Sequence, residues 1–345
     1  MRSTAATGVG VPGRRPRLDD VASAAGVSPA SVSLVLNGAP GPSAATRARV
    51  LEVATALGYR ADRTASLLAR RRRHLLGVMI DIRNSFHAEL VEAIQANAEQ
   101  RGYDVVLSTL TRTRDERRAV ETLLDFRCEA LILLGPTAPK RQLAALALQL
   151  PVIVIGRRIV GTDVDVVRTA DQPGLGQVVD HLVALGHERI AYVDGGKGTI
   201  ATDRRRGYIL AMRRHRLSAQ QRVVPGGQTE DAGTHAATEL LQEQPWPTAV
   251  IAFNDRSALG LLDALIREGV DVPGEMSVVG YDDSPPSRLA HVNLSTVSQN
   301  PDRQAEHAVV SAVERLDDGR TEPRAIVLDP QFVVRGTTGP ARTND

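Results

Sequence analysis

Two sets of residues in this 345-residue chain have types and spacings that do chemistry. The first begins at Ser28-Pro29-Ala30-Ser31, directly after a Gly26-Val27 turn. Ser28 suits a helix N-cap, and Pro29 suits the first helical position, where no N–H is needed. The helix behind them turns Val32, Val35 and Leu36 inward. Pro29, Ala30, Ser31, Ser33 and Leu34 are left facing out, as a helix entering a DNA major groove requires. The second set closes a series of apolar runs: Asp81, Ser108, Gly135, Gly156, Asp194, Asp255 and Asp283. Polar and glycine residues at the carboxyl ends of parallel strands are where open α/β sheets bind ligands.

The elements that must position these residues follow from periodicity. Residues 19–25 form a short helix with Val21, Ala22 and Ala25 inside, so residues 18–37 read as a helix–turn–helix. A third helix starts at the cap Ser43, carries the stripe Val50, Val53, Ala54 and Leu57, and ends at Gly58. Residues 59–73 place Leu67 and Leu68 among arginines. A helix this short is marginal in water and orders on contact with DNA. From Leu75 onward, LLGVMID, YDVVLS, ALILLG, VIVIG, IAYVDG, AVIAFND and SVVGYDD alternate with helical stretches. Near-continuous apolar strands separated by helices predict parallel sheets covered on both faces. The fold class is therefore α/β, with an all-α head and a core of doubly wound parallel sheets. The strands suffice for two sheets, dividing near Asp171–Gly174. Residues 294–334 carry two further strand-like pieces, LSTVSQ and AIVLDPQFVV, that cross back between two lobes. A cleft between such lobes is a small-ligand trap.

Charge supports this division. Residues 1–75 hold twelve Arg and four acids although the whole chain carries only +2, so the body is mildly acidic. A basic head fits a polyanionic partner, because phosphate attraction dominates nucleic-acid affinity. Cys128 is the sole cysteine, which excludes an internal disulfide and a cysteine zinc site; it reads as a buried, inert thiol. No apolar run reaches the length of a membrane span, and the first residues lack a secretory h-region. The expected setting is cytoplasmic, with no membrane, metal or cofactor. Aromatic residues make up only 3%; the single Trp246 reads as a surface residue, so no tryptophan-lined sugar platform is expected.

DVASAAGVSPASVSLVLNG (20–38), TRARV (46–50), LGY (57–59), HLVALGHERIAYVDG (181–195), FNDRSALGLLDAL (253–265) and SVVGYDD (277–283) occur in that order. Together they resemble the LacI/GalR (lactose-repressor) family of bacterial transcriptional regulators across residues 17–338. The resemblance implies a two-lobed, periplasmic-binding-protein-like core. It implies a leader at 1–16, a DNA-binding head at 17–58 and a hinge at 59–74. The lobes would comprise 75–170 with 299–327 and 171–298 with 328–338, followed by a flexible tail at 339–345. It also implies a repressor that binds a pseudo-palindromic double-stranded operator as a homodimer, with a sugar-like or anionic effector in the cleft.

Carried onto this chain, the family pattern places Ser31, Ser33 and Asn37 on phosphates and Pro29, Ala30 and Leu34 at base edges, with Ser28 beside them. Leu34 stands where arginine is frequent. It offers apolar contact only, so direct base readout is poor and phosphate and shape readout must carry more of the specificity. Arg63 and Leu68 fall in the hinge, Leu68 matching the leucine that wedges open a base step in the minor groove; Asp62 would cap that hinge helix. The pattern assigns ligand contacts to Asn84, Phe86, Arg112, Arg157, Arg204, Asn254, Asp282 and Gln299. Asp282 accepts hydroxyl hydrogen bonds, Asn254 donates and accepts, Arg204 donates as a fork and Phe86 gives an apolar face. Arg112, Arg157 and Arg204 together would also fit a carboxylate or phosphate. Asp283 reads instead as a cap for the helix that follows. No catalytic residue is expected: no Walker A or G-x-S-x-G occurs in context, and GGKG at 195–198 lacks phosphate-loop spacing. A transport-type solute-binding protein is the alternative, but it leaves residues 18–73 unexplained. The end of the chain carries no leucine heptad, so a dimer is expected rather than a tetramer.

Overall fold

The computed structural model describes residues 16–36, 38–59, 72–242 and 244–342. Asn37, Asp62, Arg63 and Leu68 lie outside the described residues, as do residues 1–15 and most of the hinge segment. The chain divides into two units, residues 1–73 and 74–345.

In the first unit, α1 (Leu18–Ala25), α2 (Pro29–Leu36) and α3 (Ala44–Ala56) enclose Val21, Val32 and Val50, all fully buried. Gly26 ends α1 at φ +64°, a left-handed conformation that costs glycine little. The Ser31 N–H donates to Ser28 Oγ at 3.1 Å, and the Thr46 N–H donates to Ser43 Oγ at 3.2 Å, so both expected caps form. The Arg47 guanidinium donates to Ala39 O at 2.8 Å and Val35 O at 3.3 Å, tying α3 to the end of α2. Leu57 departs from the predicted stripe: it sits at the C-cap of α3, past the last regular turn, and is exposed.

The second unit holds two parallel sheets. Its elements are β1 (Leu75–Asp81), α4 (Ser85–Gln100), β2 (Asp104–Leu110), α5 (Glu116–Asp125), β3 (Ala130–Leu134), α6 (Lys140–Ala147), β4 (Val152–Ile155), β5 (Asp165–Thr169), α7 (Asp171–Ala184), β6 (Ile190–Val193), α8 (Thr199–Arg214), β7 (Arg222–Val224), α9 (Glu230–Gln242), β8 (Ala249–Ala252), α10 (Asp255–Arg267), β9 (Ser277–Val279), β10 (Thr296–Ser298), α11 (Pro301–Asp317), β11 (Ala325–Leu328) and β12 (Gln331–Val333). The first lobe's sheet runs β11-β5-β4-β3-β1-β2, and the second lobe's runs β7-β6-β8-β9. β10 pairs antiparallel with β12 and continues the second lobe through bridges at Val279–Ser295 and Asp282–Ser298. The chain thus passes between lobes after β5, before α11 and between β11 and β12. The piece AIVLDPQFVV is two strands, one in each lobe.

Each lobe packs helices on both faces of its sheet around apolar strands such as β3 and β8, whose residues are all buried. β5 breaks that rule. It begins at Asp165, which is fully buried and held by Arg315 at 2.8 Å, Arg320 at 2.7 Å and the Arg324 N–H at 2.6 Å. Burial raises this carboxyl, but those donors outweigh it and hold it below the usual carboxylate range.

Three local expectations need correction. Residues 339–342 are docked on the second lobe rather than flexible: His187 Nε2 donates to Gly339 O at 3.0 Å, and the Ala341 N–H donates to Leu185 O at 2.9 Å. Trp246 is half-buried against the second core; its Nε1 donates to Leu241 O, and Arg342 lies 5.9 Å from its ring centre. Asp283 does not cap the short 3₁₀ turn at 285–288, because its carboxylate is taken by Arg335 at 2.6 Å and Arg288 at 3.4 Å. Cys128 is buried, and burial pushes its thiol up to about 11, so it is unreactive at neutral pH.

Candidate functional site

The exposed side of α2 is the first candidate surface. Ser28, Pro29, Ala30 and Leu34 are exposed, and Ser31 and Ser33 are half-buried. Ser28 Oγ and Ser31 Oγ lie 2.9 Å apart in a shared hydrogen bond. This face offers small residues, three serine hydroxyls and one leucine, a set suited to close backbone approach rather than to a guanidinium reading guanine.

The second is a cleft of about 700 Å³ between the lobes of the core. The first lobe contributes an apolar patch of Phe86, Leu90, Leu110, Leu134 and Ile155, rimmed by Asp81, Asn84, His87, Thr137 and Arg157. From the second come Asp203, Arg204, Gln228, Asn254 and Asp282, a mainly polar wall that also includes Ile200 and Phe253. Asn84, Phe86, Arg157, Arg204, Asn254, Asp282 and Gln299 all line this cleft. Arg112 does not. It is exposed in the turn after β2, which is an edge strand, and that strand supplies Leu110 to the cleft instead.

The polar wall is centred on Arg204, a buried cation on α8. Its Nε donates to Asp171 at 3.0 Å and its Nη1 to Phe253 O at 2.7 Å, while Nη2 lies 3.6 Å from Asp282. Its guanidinium stacks 3.6 Å from the Tyr281 ring centre. Burial works against its charge, but Asp171 and Asp282 hold its pKa above the ordinary arginine value. Asp282 is pushed upward, first by burial and further by Asp255, with Arg204 opposing. Asp255 faces inward at the start of α10. It accepts from Thr296 Oγ1 at 2.5 Å, Ser284 N at 2.7 Å and Ser284 Oγ at 2.9 Å. Gly280 admits this arrangement, since a Cβ there would meet Asp255 Oδ1 at 2.3 Å.

Several lining residues are already committed. Asn254 caps α10 by accepting from the Ser257 N–H at 2.9 Å and donates to Gln228 O at 3.2 Å. Asn84 caps α4, accepting from the Phe86 N–H at 3.1 Å. The Arg157 guanidinium donates to Pro136 O at 3.1 Å and Ala138 O at 2.5 Å, which fixes the loop after β3. Gln299 Nε2 donates to Asp282 Oδ1 at 2.7 Å. Arg204's fork is thus divided among protein partners, and the acceptor face of Asp282 is the wall's main handle for ligand hydroxyls.

Sequence reasoning missed Asp171, His87, Lys197, Gln228 and Gln304. His87 is a cleft residue whose Nδ1 accepts from the Asp81 N–H at 3.1 Å; burial lowers it to about 4, so the ring is neutral. Gln304 had a legible signal: it sits on the buried stripe of α11 with Ala305, Ala308 and Ala312, a polar residue at an apolar position. Among the described residues no group of three or more His, Cys, Asp or Glu is placed to hold a metal, and no helix is long and apolar enough to cross a membrane.

A helix–turn–helix unit joined to a two-lobed ligand-binding core defines a DNA-binding transcriptional regulator. Comparison with known proteins gives the same class. Residues 17–62 match the bacterial regulatory proteins of the lacI family, and residues 179–338 match a periplasmic binding protein-like domain. The chain is 35% identical to the transcriptional regulator GalR of Salmonella typhimurium, over 92% of this chain and 94% of that one. Its structure is similar to a LacI transcriptional regulator from a Rhodococcus species (TM-score 0.75, 46% identity, 77% of this chain and 99% of that one). It is also similar to the lac repressor dimer bound to operator and the anti-inducer ONPF (TM-score 0.82, 30% identity, 94% and 100%). The chain belongs to the lacI family of bacterial transcriptional regulators.

Proposed function

We propose that this regulator is a repressor that binds a pseudo-palindromic operator as a homodimer in the cytoplasm, and that a sugar-like ligand in the interlobe cleft shifts its operator affinity. The observation that carries this reading is the contrast between the cleft's two walls. A sugar ring has one face of C–H groups and edges of hydroxyls; the apolar wall around Phe86 suits the first, and Asp282 with Asn254 suits the second. The Asp171–Arg204–Asp282 line reaches from the crossover after β5 to the cleft, so a ligand that engages Asp282 acts on the segment about which the lobes move. Closure would change how the two copies present their heads to DNA, a coupling of roughly 1–3 kcal/mol in such systems.

Ser28, Pro29, Ala30, Ser31, Ser33 and Leu34, with Asn37, Arg63 and Leu68, are the proposed DNA contacts. Because α2 offers few base-reading groups, specificity leans on phosphates and DNA shape. The test is selection of bound sequences from random DNA by the purified chain, with and without D-glucose, D-galactose, D-ribose and cellobiose. A palindromic motif whose recovery changes with one sugar supports the reading. A motif recovered equally under all conditions contradicts the sugar assignment, and no motif at all contradicts the operator.

A further inference from the structure

One side chain at the cleft has half of its hydrogen-bonding capacity unused. Gln304 is fully buried. Its Nε2 donates to Gln299 O at 2.8 Å and to Thr169 Oγ1 at 3.1 Å. Gln299 O can only accept, so the amide nitrogen, not the oxygen, must face it. Thr169 Oγ1 spends its own proton on Gln299 O at 3.2 Å and therefore accepts from Gln304. This leaves Gln304 Oε1 buried, with no hydrogen-bond partner among the described residues. A buried acceptor without a donor is costly, and an isosteric apolar residue would avoid that cost. In the cleft lining of the same lobe, Phe86, Leu90, Leu134 and Ile155 carry no side-chain donor, and the Arg157 guanidinium donates to Pro136 O and Ala138 O.

The position of this side chain gives the orphan acceptor a use. Thr169 precedes the first crossover between lobes, and Gln299 lies on the second. Gln304 clamps both, and Gln299 in turn reaches Asp282 with its own amide. We propose that Gln304 is a specificity-determining residue: its Oε1 accepts a hydrogen bond from one ligand hydroxyl, while its Nε2 fastens the two crossovers. A ligand held at Gln304 and Asp282 then grips the same segment, Gln299, from its backbone and its side chain. The proposal rests on the sugar reading of the cleft. It selects ligands that present a hydroxyl beside the apolar wall and rejects those with a deoxy or O-methyl group there.

The test is calorimetry on the full chain with D-glucose, D-galactose, D-ribose and cellobiose, followed by the monodeoxy analogues of whichever binds tightest. In the wild type, one deoxy position should cost roughly tenfold through loss of the bond to Gln304. Q304L should bind the parent sugar roughly tenfold more weakly and lose no further affinity to that one analogue, while the other analogues keep their wild-type penalties. If every analogue carries the same penalty in Q304L as in the wild type, the proposal is wrong. Q304M, similar in volume and more adaptable, serves if Q304L does not fold. A wild-type chain that binds none of the four sugars overturns the reading of the cleft rather than the clamp. Amide exchange at Ala170 and Asn300 in ligand-free protein then decides the clamp: faster exchange in Q304L supports it, and unchanged exchange overturns it.

Discussion

The cleft's two walls differ in what stands at their centres. At its centre the first lobe presents an apolar patch from α4 and the ends of β2, β3 and β4, with Asn84, His87 and Arg157 at its rim. The second presents a buried cation, Arg204, with Asp171 and Asp282 beside it and Asp255 close behind. Hydrophobic burial is non-directional and tolerates exchange of one apolar side chain for another of similar volume. A buried ion group does not: removing one member leaves the others desolvated without compensation. One wall should therefore set how well a ligand is covered, and the other which ligand is accepted.

The largest expected effect comes from the polar wall. Arg204→Met strands Asp171 and Asp282, whose side chains are only 5% and 7% exposed, and should cost about 3–5 kcal/mol by urea denaturation. Both carboxyls would sit further above their unfolded values, so the folded variant binds more protons than the unfolded chain. The deficit should shrink as pH falls toward the ordinary carboxylate range and grow as pH rises above it. A deficit independent of pH would show that Arg204 acts by packing alone.

On the other wall, Phe86→Ala opens a cavity in a side chain that borders the cleft. It should cost about 2–4 kcal/mol and weaken every sugar by a similar factor, whereas Phe86→Leu should be much milder. A change in which sugar is preferred would erase the distinction between the walls.

Asp282→Asn is next. It removes one of the two carboxylates beside Arg204 but leaves Asp171 at 3.0 Å, so its stability cost should be well below that of Arg204→Met, while sugar affinity falls on the order of tenfold or more. Hydroxyl donors favour the ionised form. Wild-type affinity should fall as pH drops through the raised titration of Asp282, by at most about tenfold per pH unit, and the variant's should stay flat. The smallest effect belongs to the Glu89–Arg288 pair that joins the lobes at 2.9 Å. Arg288 is 44% exposed, so Glu89→Gln should shift ligand affinity by no more than about 1 kcal/mol.

The same contrast explains what the sequence disclosed. The head was legible because Ser28, Pro29 and Ser43 obey local capping chemistry, and apolar runs such as ALILL announce parallel strands. β5 escaped notice because its first residue is an aspartate, and only the distant Arg315 and Arg320 make that burial tolerable. β7, three residues long, is too short for periodicity to detect. Arg204, Asn254, Asp282 and Gln299 were named from family motifs, and all four line the cleft. Their partnerships were not legible: Asp171 meets Arg204 only through the packing of α7 beside α8, and Gln304, visible as a polar residue on an apolar stripe, reaches Gln299 and Thr169 only because the chain crosses between lobes more than once. Arg112 failed for the converse reason, since a position after an edge strand need not face the centre.

Ligand engagement of the polar wall is proposed to control DNA binding. The most direct measurement is fluorescence anisotropy of the selected operator with wild type and Asp282→Asn, each with and without the sugar that binds best. Wild-type operator affinity should move by roughly 5- to 150-fold with sugar. Asp282→Asn should keep the wild-type operator affinity in the absence of sugar and respond little when sugar is added. An equal sugar response in both proteins would contradict that control.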